Sequence, residues 1–472
     1  MSRQLFRAAL ALAGCASAVH AQRPVAQRAM ADSARLRADV AYLASDRLEG
    51  RLTGSPGNDS AAAYVARRFR ALGLEPVVVD SADAARCAGV RSAQAAPRSE
   101  RLAGPRSDEA PPAPRCAGYL QRFTARVAAF AHVGKPFELP TQNVVALLPG
   151  RDPALRGQVV ILGAHYDHLG RDTIFAADPR AGSVIHNGAD DNASGTAAVM
   201  ELARLLKANP PRRSVLLVAF SGEEEGTLGS QWFVDHPPVP LDSVVAMLNF
   251  DMVGRLTNDR LLVYGVATAD ELPAIVDSAN AAGPRLAVKA LGDGDGPSDH
   301  ATFYSRGLPV LHFFTDQHAD YHAATDDADK INAAGEARVV TLALGVARAV
   351  ADRPARLTFK RTAPRRVAGG PESASGPRPY LGSVPDMAGD GESGLRLSGV
   401  TPGSPADKAG MKGGDVIVQL DGKPVKDLYT YSDALYAHKP GDVVSIVVLR
   451  APATGAAPER VTLSVTLGRR GE

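Results

Sequence analysis

The sequence predicts an α/β protein: a mostly parallel central sheet with helices on both faces, then a small β-rich unit. Three observations carry this. Between residues 31 and 353, short apolar runs of strand length alternate with stretches of helical spacing. Several runs are continuously apolar rather than alternating, as expected of strands covered on both faces. Near residue 353 a stretch rich in Pro, Gly, Arg and Ser precedes a second set of strand-like runs. The chain has 472 residues, which favours two domains over one.

Residues 31–78 read as helical first: Asp32 and Ser33 can cap, and apolar positions recur through Leu43, Leu48, Tyr64, Val65, Phe69 and Leu72. Leu74 to Val79 then reads as a strand. Thr141 to Leu148 is strand-like and stops at Pro149-Gly150, and Gln158 to Ala164 is a buried parallel strand by its continuous apolarity. Ser194 to Lys207 has helical spacing with one apolar face. Ser214 to Phe220, Val244 to Phe250, Leu261 to Val266 and Leu308 to Phe314 are further strand candidates. Beyond the predicted linker, 354–376, come Leu395 to Leu397, Asp415 to Leu420, Val443 to Leu449 and Val461 to Val465, with a short helix near Ser432 to Ala437.

Composition narrows the function. Apolar residues make up 45% of the chain, enough for a sizeable core. Net charge is +2 with no concentrated basic stripe, so nothing points to nucleic acid. Arg3 and Arg7 precede an apolar run from Ala8 to Val19, too short to span a bilayer, and Val19-His20-Ala21 fits a signal-peptidase site. Residues 1–21 are therefore expected to be an export signal, placing the chain in the periplasm or outside the cell. Leu12-Ala13-Gly14-Cys15 also fits a lipid-attachment site, which leaves a lipid-anchored form open. No other segment is long and apolar enough for a transmembrane span. Cys87 and Cys116 border a Pro-, Ala-, Arg- and Ser-rich insertion, 82–117, and a disulfide across it is the natural outcome in an oxidising compartment.

The chemistry lies in five segments, each at or near the end of a strand-like run: His165-Tyr166-Asp167, Asp190-Asp191-Asn192, Glu223-Glu224-Glu225, Asp251, and Tyr321-His322. Two divalent ions ~3.5–4 Å apart need one shared carboxylate plus a His and a further carboxylate for each ion. In open α/β sheets, ligands gather beyond the carboxyl ends of the strands. His165, Glu223, Glu224 and Asp251 fall there. A lone acidic turn or histidine is ordinarily solvated surface or a helix cap. Asp190-Asp191 offers two carboxylates where a cap needs one. Three adjacent acids repel one another unless cations sit among them. Asp167 is the nearest carboxylate to orient His165.

These segments, with Leu43 to Arg51, resemble the co-catalytic zinc aminopeptidase family that includes glutamate carboxypeptidases and glutaminyl cyclases, over roughly residues 33–350. The resemblance implies two zinc ions per chain. His165 and Asp251 would bind one, Glu224 and His322 the other, and Asp191 both. Glu223 would be the general base, Asp167 the partner of His165, and Tyr321 a stabiliser of the oxyanion. Ser298-Asp299-His300 resembles a substrate-proximal segment, whereas His168, His186, His312 and His318 match no role and read as structural or exposed. Residues 377–470, with Tyr380-Leu381-Gly382 and Gly403 to Ile417, resemble a PDZ domain that would take peptide C-termini. The domain of 31–353 is then expected to be an exported exopeptidase acting on peptides, most directly an aminopeptidase. A dipeptidase, a carboxypeptidase, a glutaminyl cyclase and a non-catalytic peptide-binding protein stay open.

Overall fold

A computed structural model describes residues 30–79, 117–127, 137–171, 183–362, 379–385, 394–401, 403–426, 428–451 and 458–469. The expected signal segment, Cys15, Cys87, Cys116 and most of the insertion and linker lie outside them.

The chain opens with helix α1 (Ser33–Leu43), whose Asp32 side chain accepts from the N–H groups of Ala34 and Arg35. Helix α2 (Pro56–Ala71) follows, with Pro at its first position and a Ser55 cap. Between them the chain turns through Glu49, Gly50 and Arg51, all with positive φ. Gly50 has no alternative there, because a Cβ would lie 2.2 Å from the His186 carbonyl oxygen.

The strands are β1 (Glu75–Pro76), β2 (Leu120–Val127), β3 (Phe137–Leu148), β4 (Val159–His165) and β5 (Ser214–Phe220). They continue with β6 (Val244–Phe250), β7 (Arg260–Tyr264), β8 (Ala287–Ala290) and β9 (Val310–Phe314). All nine form one sheet in the order β1-β3-β5-β4-β6-β9-β7-β8, with β2 also on β3. The centre, β5-β4-β6-β9, is parallel throughout. Its margins are not: β3 runs antiparallel to β1, β2 and β5, and β9 antiparallel to β7. Every residue of β4, β5 and β6 is buried, which is the physical content of their unbroken apolar runs.

Helix α3 (Gly195–Ala208) buries most of its residues against this sheet, as does the long α7 (Ala333–Asp352). Three shorter helices, α4 (Leu228–Asp235), α5 (Leu272–Ala282) and α6 (His300–Ser305), complete the layers. Two large apolar clusters cover the sheet, one built around α1, α3 and α7 and one around Phe220, Phe233 and Phe303.

Residues 357–362, expected as the start of a linker, instead pack on this first unit. The Thr358 N–H donates to Glu271, the Lys360 N–H to the Thr268 carbonyl, and the Tyr304 hydroxyl meets Thr362. The second unit has its own core around Leu381, Ile417, Tyr431 and Ile446. Its strands β10 (Ser383–Pro385), β11 (Leu395–Val400), β12 (Val416–Leu420), β13 (Val443–Arg450) and β14 (Glu459–Thr466) lie side by side in that order. Two helices, α8 (Pro405–Lys408) and α9 (Leu428–Tyr436), flank them. Among the described residues no helix is long and apolar enough to cross a membrane.

Candidate metal centre

Three adjacent parallel strands deliver the site. His165 is the last residue of β4, Asp251 follows β6 directly, and Glu223 and Glu224 sit three and four residues past β5. Because β5, β4 and β6 are parallel neighbours, these residues meet at one rim. Asp191 comes from the buried turn Ala189–Ser194 that leads into α3, and His322 from the loop after β9.

The structure brings all five expected ligands together. His165 Nε2 lies 3.4 Å from Asp191 Oδ1 and 3.4 Å from Asp251 Oδ1. His322 Nε2 lies 3.3 Å from Asp191 Oδ2 and 3.2 Å from Glu224 Oε2. Zinc–nitrogen and zinc–oxygen bonds are about 2.0–2.1 Å, so two ligands on one tetrahedral ion stand about 3.3 Å apart. All four separations match that edge. Asp191 turns one oxygen to each group, which is what a carboxylate shared by two ions must do. Asp251 Oδ1 is buried without a hydrogen-bond partner. An orphaned anionic oxygen in that place fits a cation. The donor set thus fits two zinc ions.

His168 also approaches, and it forms a possible group with Asp191 and Glu224. Its Nδ1 is only 2.7 Å from Glu224 Oε1, too close for two ligands of one ion and right for an N–H donating to the carboxylate. His168, expected to be structural or exposed, is fully buried and orients Glu224. His318, expected likewise, lies 3.2 Å from Asp190 Oδ2. Asp190 itself braces the turn, accepting from Ser194 Oγ and from the Gly254 N–H.

Asp167 departs from its expected geometry. Its Oδ1 is 3.7 Å from His165 Nδ1, while the Asp167 backbone carbonyl is nearer, at 3.3 Å. The carboxylate instead accepts the Glu224 N–H at 3.2 Å. Asp167 therefore holds the Glu223-Glu224 turn with its side chain and touches His165 with its backbone.

Tyr321 stacks on His322, with ring centroids 3.9 Å apart, and borders the cleft. Glu223 Oε2 stands 3.9 Å from His165 Nε2, beside both ligand groups. Burial raises the Glu223 pKa well above the usual carboxylate range, and the Asp251 and Glu224 charges add to it. Burial also acts on Glu224, yet the His322 and His168 charges outweigh it and hold that group at about 2. Two neighbouring carboxylates are thus pushed in opposite directions, the pattern that separates a proton carrier from a ligand. Glu225, the third of the run, is bonded by Thr53 Oγ1 at 2.8 Å, and burial lifts it to about 8.

Two residues had no sequence signal. Asp326 Oδ2 accepts from the N–H groups of Asp190 and Asp191, at 2.9 and 3.1 Å. Arg51, fully buried, donates to the carbonyls of Leu43, Tyr166, Asn187 and Gly188. Burial lowers its pKa to about 10, so it remains a cation beneath a nest of acids. Arg51 closed the stretch quoted for the resemblance, but nothing in the sequence said what it holds. Ser298, from the stretch left outside the ligand set, donates to Asp251 Oδ2 at 2.8 Å.

Residues 143–347 match peptidase family M28, and residues 379–467 match the PDZ domain. A probable zinc metalloprotease of Leptosphaeria maculans is 33% identical over 190 residues, 40% of each chain. Aminopeptidase YwaD of Bacillus subtilis is 27% identical over 175 residues, 37% of this chain and 35% of that one. A solved zinc aminopeptidase of Bacillus subtilis, 17% identical, superposes with a TM-score of 0.48 over 71% of this chain and 97% of its own. The matched stretches span less than half the length of the two sequence relatives.

Proposed function

We propose, for a chain whose residues 143–347 belong to peptidase family M28 and whose residues 379–467 are a PDZ domain, that it is a zinc-dependent exopeptidase, an aminopeptidase. The observation that carries this is the arrangement around Asp191. Its two carboxylate oxygens face two separate His–carboxylate groups, each at the spacing of ligands on one ion.

In this reading His165 and Asp251 hold one zinc, Glu224 and His322 the other, and Asp191 both. When bound, such a pair supplies Lewis acidity that makes water a nucleophile near neutral pH and polarises a carbonyl. Glu223 takes the proton from the attacking water and passes it to the nitrogen of the leaving amine, so its carboxyl is restored each cycle. Its burial suits that task, since a raised pKa makes the carboxyl a better acceptor of the water's proton. Asp167 keeps the Glu223-Glu224 turn in place through the Glu224 N–H. His168 fixes the rotamer of Glu224. Tyr321, at the mouth of the cleft, is the side chain we assign to the developing oxyanion.

The PDZ domain receives peptide C-termini on its edge strand β10, next to the Tyr380-Leu381-Gly382 loop. Export, to the periplasm or beyond, follows from the expected signal at residues 1–21 and suits a peptidase of peptides outside the cytoplasm.

The test is hydrolysis of aminoacyl-nitroanilides by the purified chain, with metal analysis. Two zinc ions per chain, activity lost to a chelator and regained with zinc support the reading. Cleavage confined to N-blocked peptides, or cyclisation of N-terminal Gln, would replace it with another chemistry of the family.

A further inference from the structure

Beyond the acid and imidazole cluster, the cleft continues into a recess walled by rings. His312 is its centre. His300 stacks on it with centroids 4.4 Å apart, Tyr264 meets it at 5.6 Å and Phe314 at 5.8 Å. Met252 and Gln317 close the sides. Among the described residues no Lys or Arg lines the cleft, and its only carboxylates are those of the candidate centre.

The hydrogen bonds fix how His312 sits. Ser298 Oγ donates to Asp251 Oδ2 at 2.8 Å, so it must accept from Asn249 Nδ2, also at 2.8 Å. That settles which end of the Asn249 amide is nitrogen. The same Nδ2 reaches His312 Nδ1 at 3.2 Å. His312 Nδ1 therefore accepts, and the proton of the neutral ring is on Nε2. Burial, with the neighbouring His300, holds the His312 pKa well below its usual value, so the ring stays neutral. Burial does the same to His300, at about 3. The recess thus offers aromatic faces and the His312 Nε2–H as a donor, beside the His300 ring and the Gln317 amide, and no charge of its own. A cationic or anionic side chain would lose its water there without gaining a counter-ion.

Resting on the exopeptidase reading, we propose that this recess selects the side chain of the N-terminal residue and that His312 is its specificity-determining residue. The favoured side chain is a neutral flat ring with a hydrogen-bond acceptor at its far edge, which among the standard residues is tyrosine. The ring stacks in the wall of Tyr264, Phe314 and His300. The phenol oxygen accepts from His312 Nε2–H. Leucine and phenylalanine leave that donor buried and unpaired, and an unpaired donor costs more than a missing contact.

The experiment compares tyrosyl-, phenylalanyl-, leucyl-, lysyl- and glutamyl-nitroanilides on the full zinc-loaded chain. Tyrosyl and phenylalanyl substrates differ by one hydroxyl, so their kcat/KM ratio reads the hydrogen bond to that oxygen. We expect a ratio of roughly ten in favour of tyrosine. His312→Phe should bring it to about one, and His312→Gln, which keeps an amide N–H, should restore part of it. A wild-type ratio at or below one overturns the proposal even if a variant fails to fold, and so does an unchanged ratio in His312→Phe. Cleavage of these substrates with a leucine preference would sink this inference and leave the exopeptidase reading standing. Cleavage of none would sink both.

Discussion

Asp326 Oδ2 lies 3.1 Å from the backbone nitrogen of Asp191, so the loop that carries His322 is fastened to the turn that carries the shared carboxylate. The Ala189 N–H adds a second tie, donating to the Asp326 carbonyl at 2.9 Å. One residue outside the ligand set thus ties the shared carboxylate's turn to the loop of His322.

Asp326→Ala should therefore act on both metals. Losing a partner that orients ligands costs roughly 10- to 100-fold in metal affinity or activity. Zinc titration of the variant should show both sites weakened, and loss confined to one site would contradict the shared role.

Glu223→Gln separates holding from proton transfer. The amide cannot take a proton, while the five ligands are untouched. Turnover should fall roughly 10²–10⁴-fold with two zinc ions still bound per chain. Normal kcat at full zinc content would remove Glu223 from the mechanism.

His168→Ala tests the distinction drawn from the 2.7 Å contact to Glu224. As an orienting residue it should weaken one zinc roughly 10- to 100-fold and leave the other. His322→Ala, removing a ligand outright, should empty that site. Equal effects of the two variants would make His168 a ligand instead.

Asp320 gives a pH prediction. Its carboxylate meets Arg255, Lys330 and Thr325 within the His322 loop. Burial raises its pKa, but the bonds from Lys330, Thr325 and Arg255 outweigh this and bring it to about 2. A folded pKa below the unfolded one stabilises above the unfolded value and ceases to as pH falls through the folded one. After solvent screening the contribution at neutral pH is about 1 kcal/mol. Asp320→Asn should melt earlier than the wild type at pH 7, and the gap should close between about pH 4 and pH 2. A gap that persists at pH 2 would rule out this ionisation as its cause.

The edge strand of the PDZ domain carries a handicap. The Thr401 N–H donates to the Gly382 carbonyl at the start of β10, and the pairing of β10 with β11 shifts register between Val384 and Pro385. Pro385 has no N–H to give an added strand. Pro385→Val should tighten binding of C-terminal peptides to the full chain roughly 2- to 10-fold by fluorescence anisotropy. Unchanged affinity would mean that the peptide does not pair with β10 at that position.

How much of this was legible follows from where each residue gets its position. His165, Glu223, Glu224 and Asp251 inherit theirs from buried parallel strands, and an unbroken apolar run announces such a strand and its end. Asp191 was legible as a second acid where capping needs one. The margins were less so: every second residue of β2 from Arg122 to Arg126 is exposed, and β8 is four residues with none buried. The work of His168 and Asp326 depends on how loops fold back over the rim, which no local spacing encodes. Asp167 illustrates a finer limit: its place beside the site could be read, but whether backbone or carboxylate faces His165 depends on one turn.

Arg51 lies more than a hundred positions upstream of His165, the first candidate ligand, yet it grips the backbone just after that ligand's strand end, at Tyr166, and just before the Asp191 turn, at Asn187 and Gly188. Cutting the chain just after it would spare every candidate ligand and the whole parallel core. It would nonetheless cut away the cation that draws those carbonyls together. A nick in this early turn is thus a way to disable the candidate centre at a distance, and a fragment meant to keep that centre has to begin upstream of it.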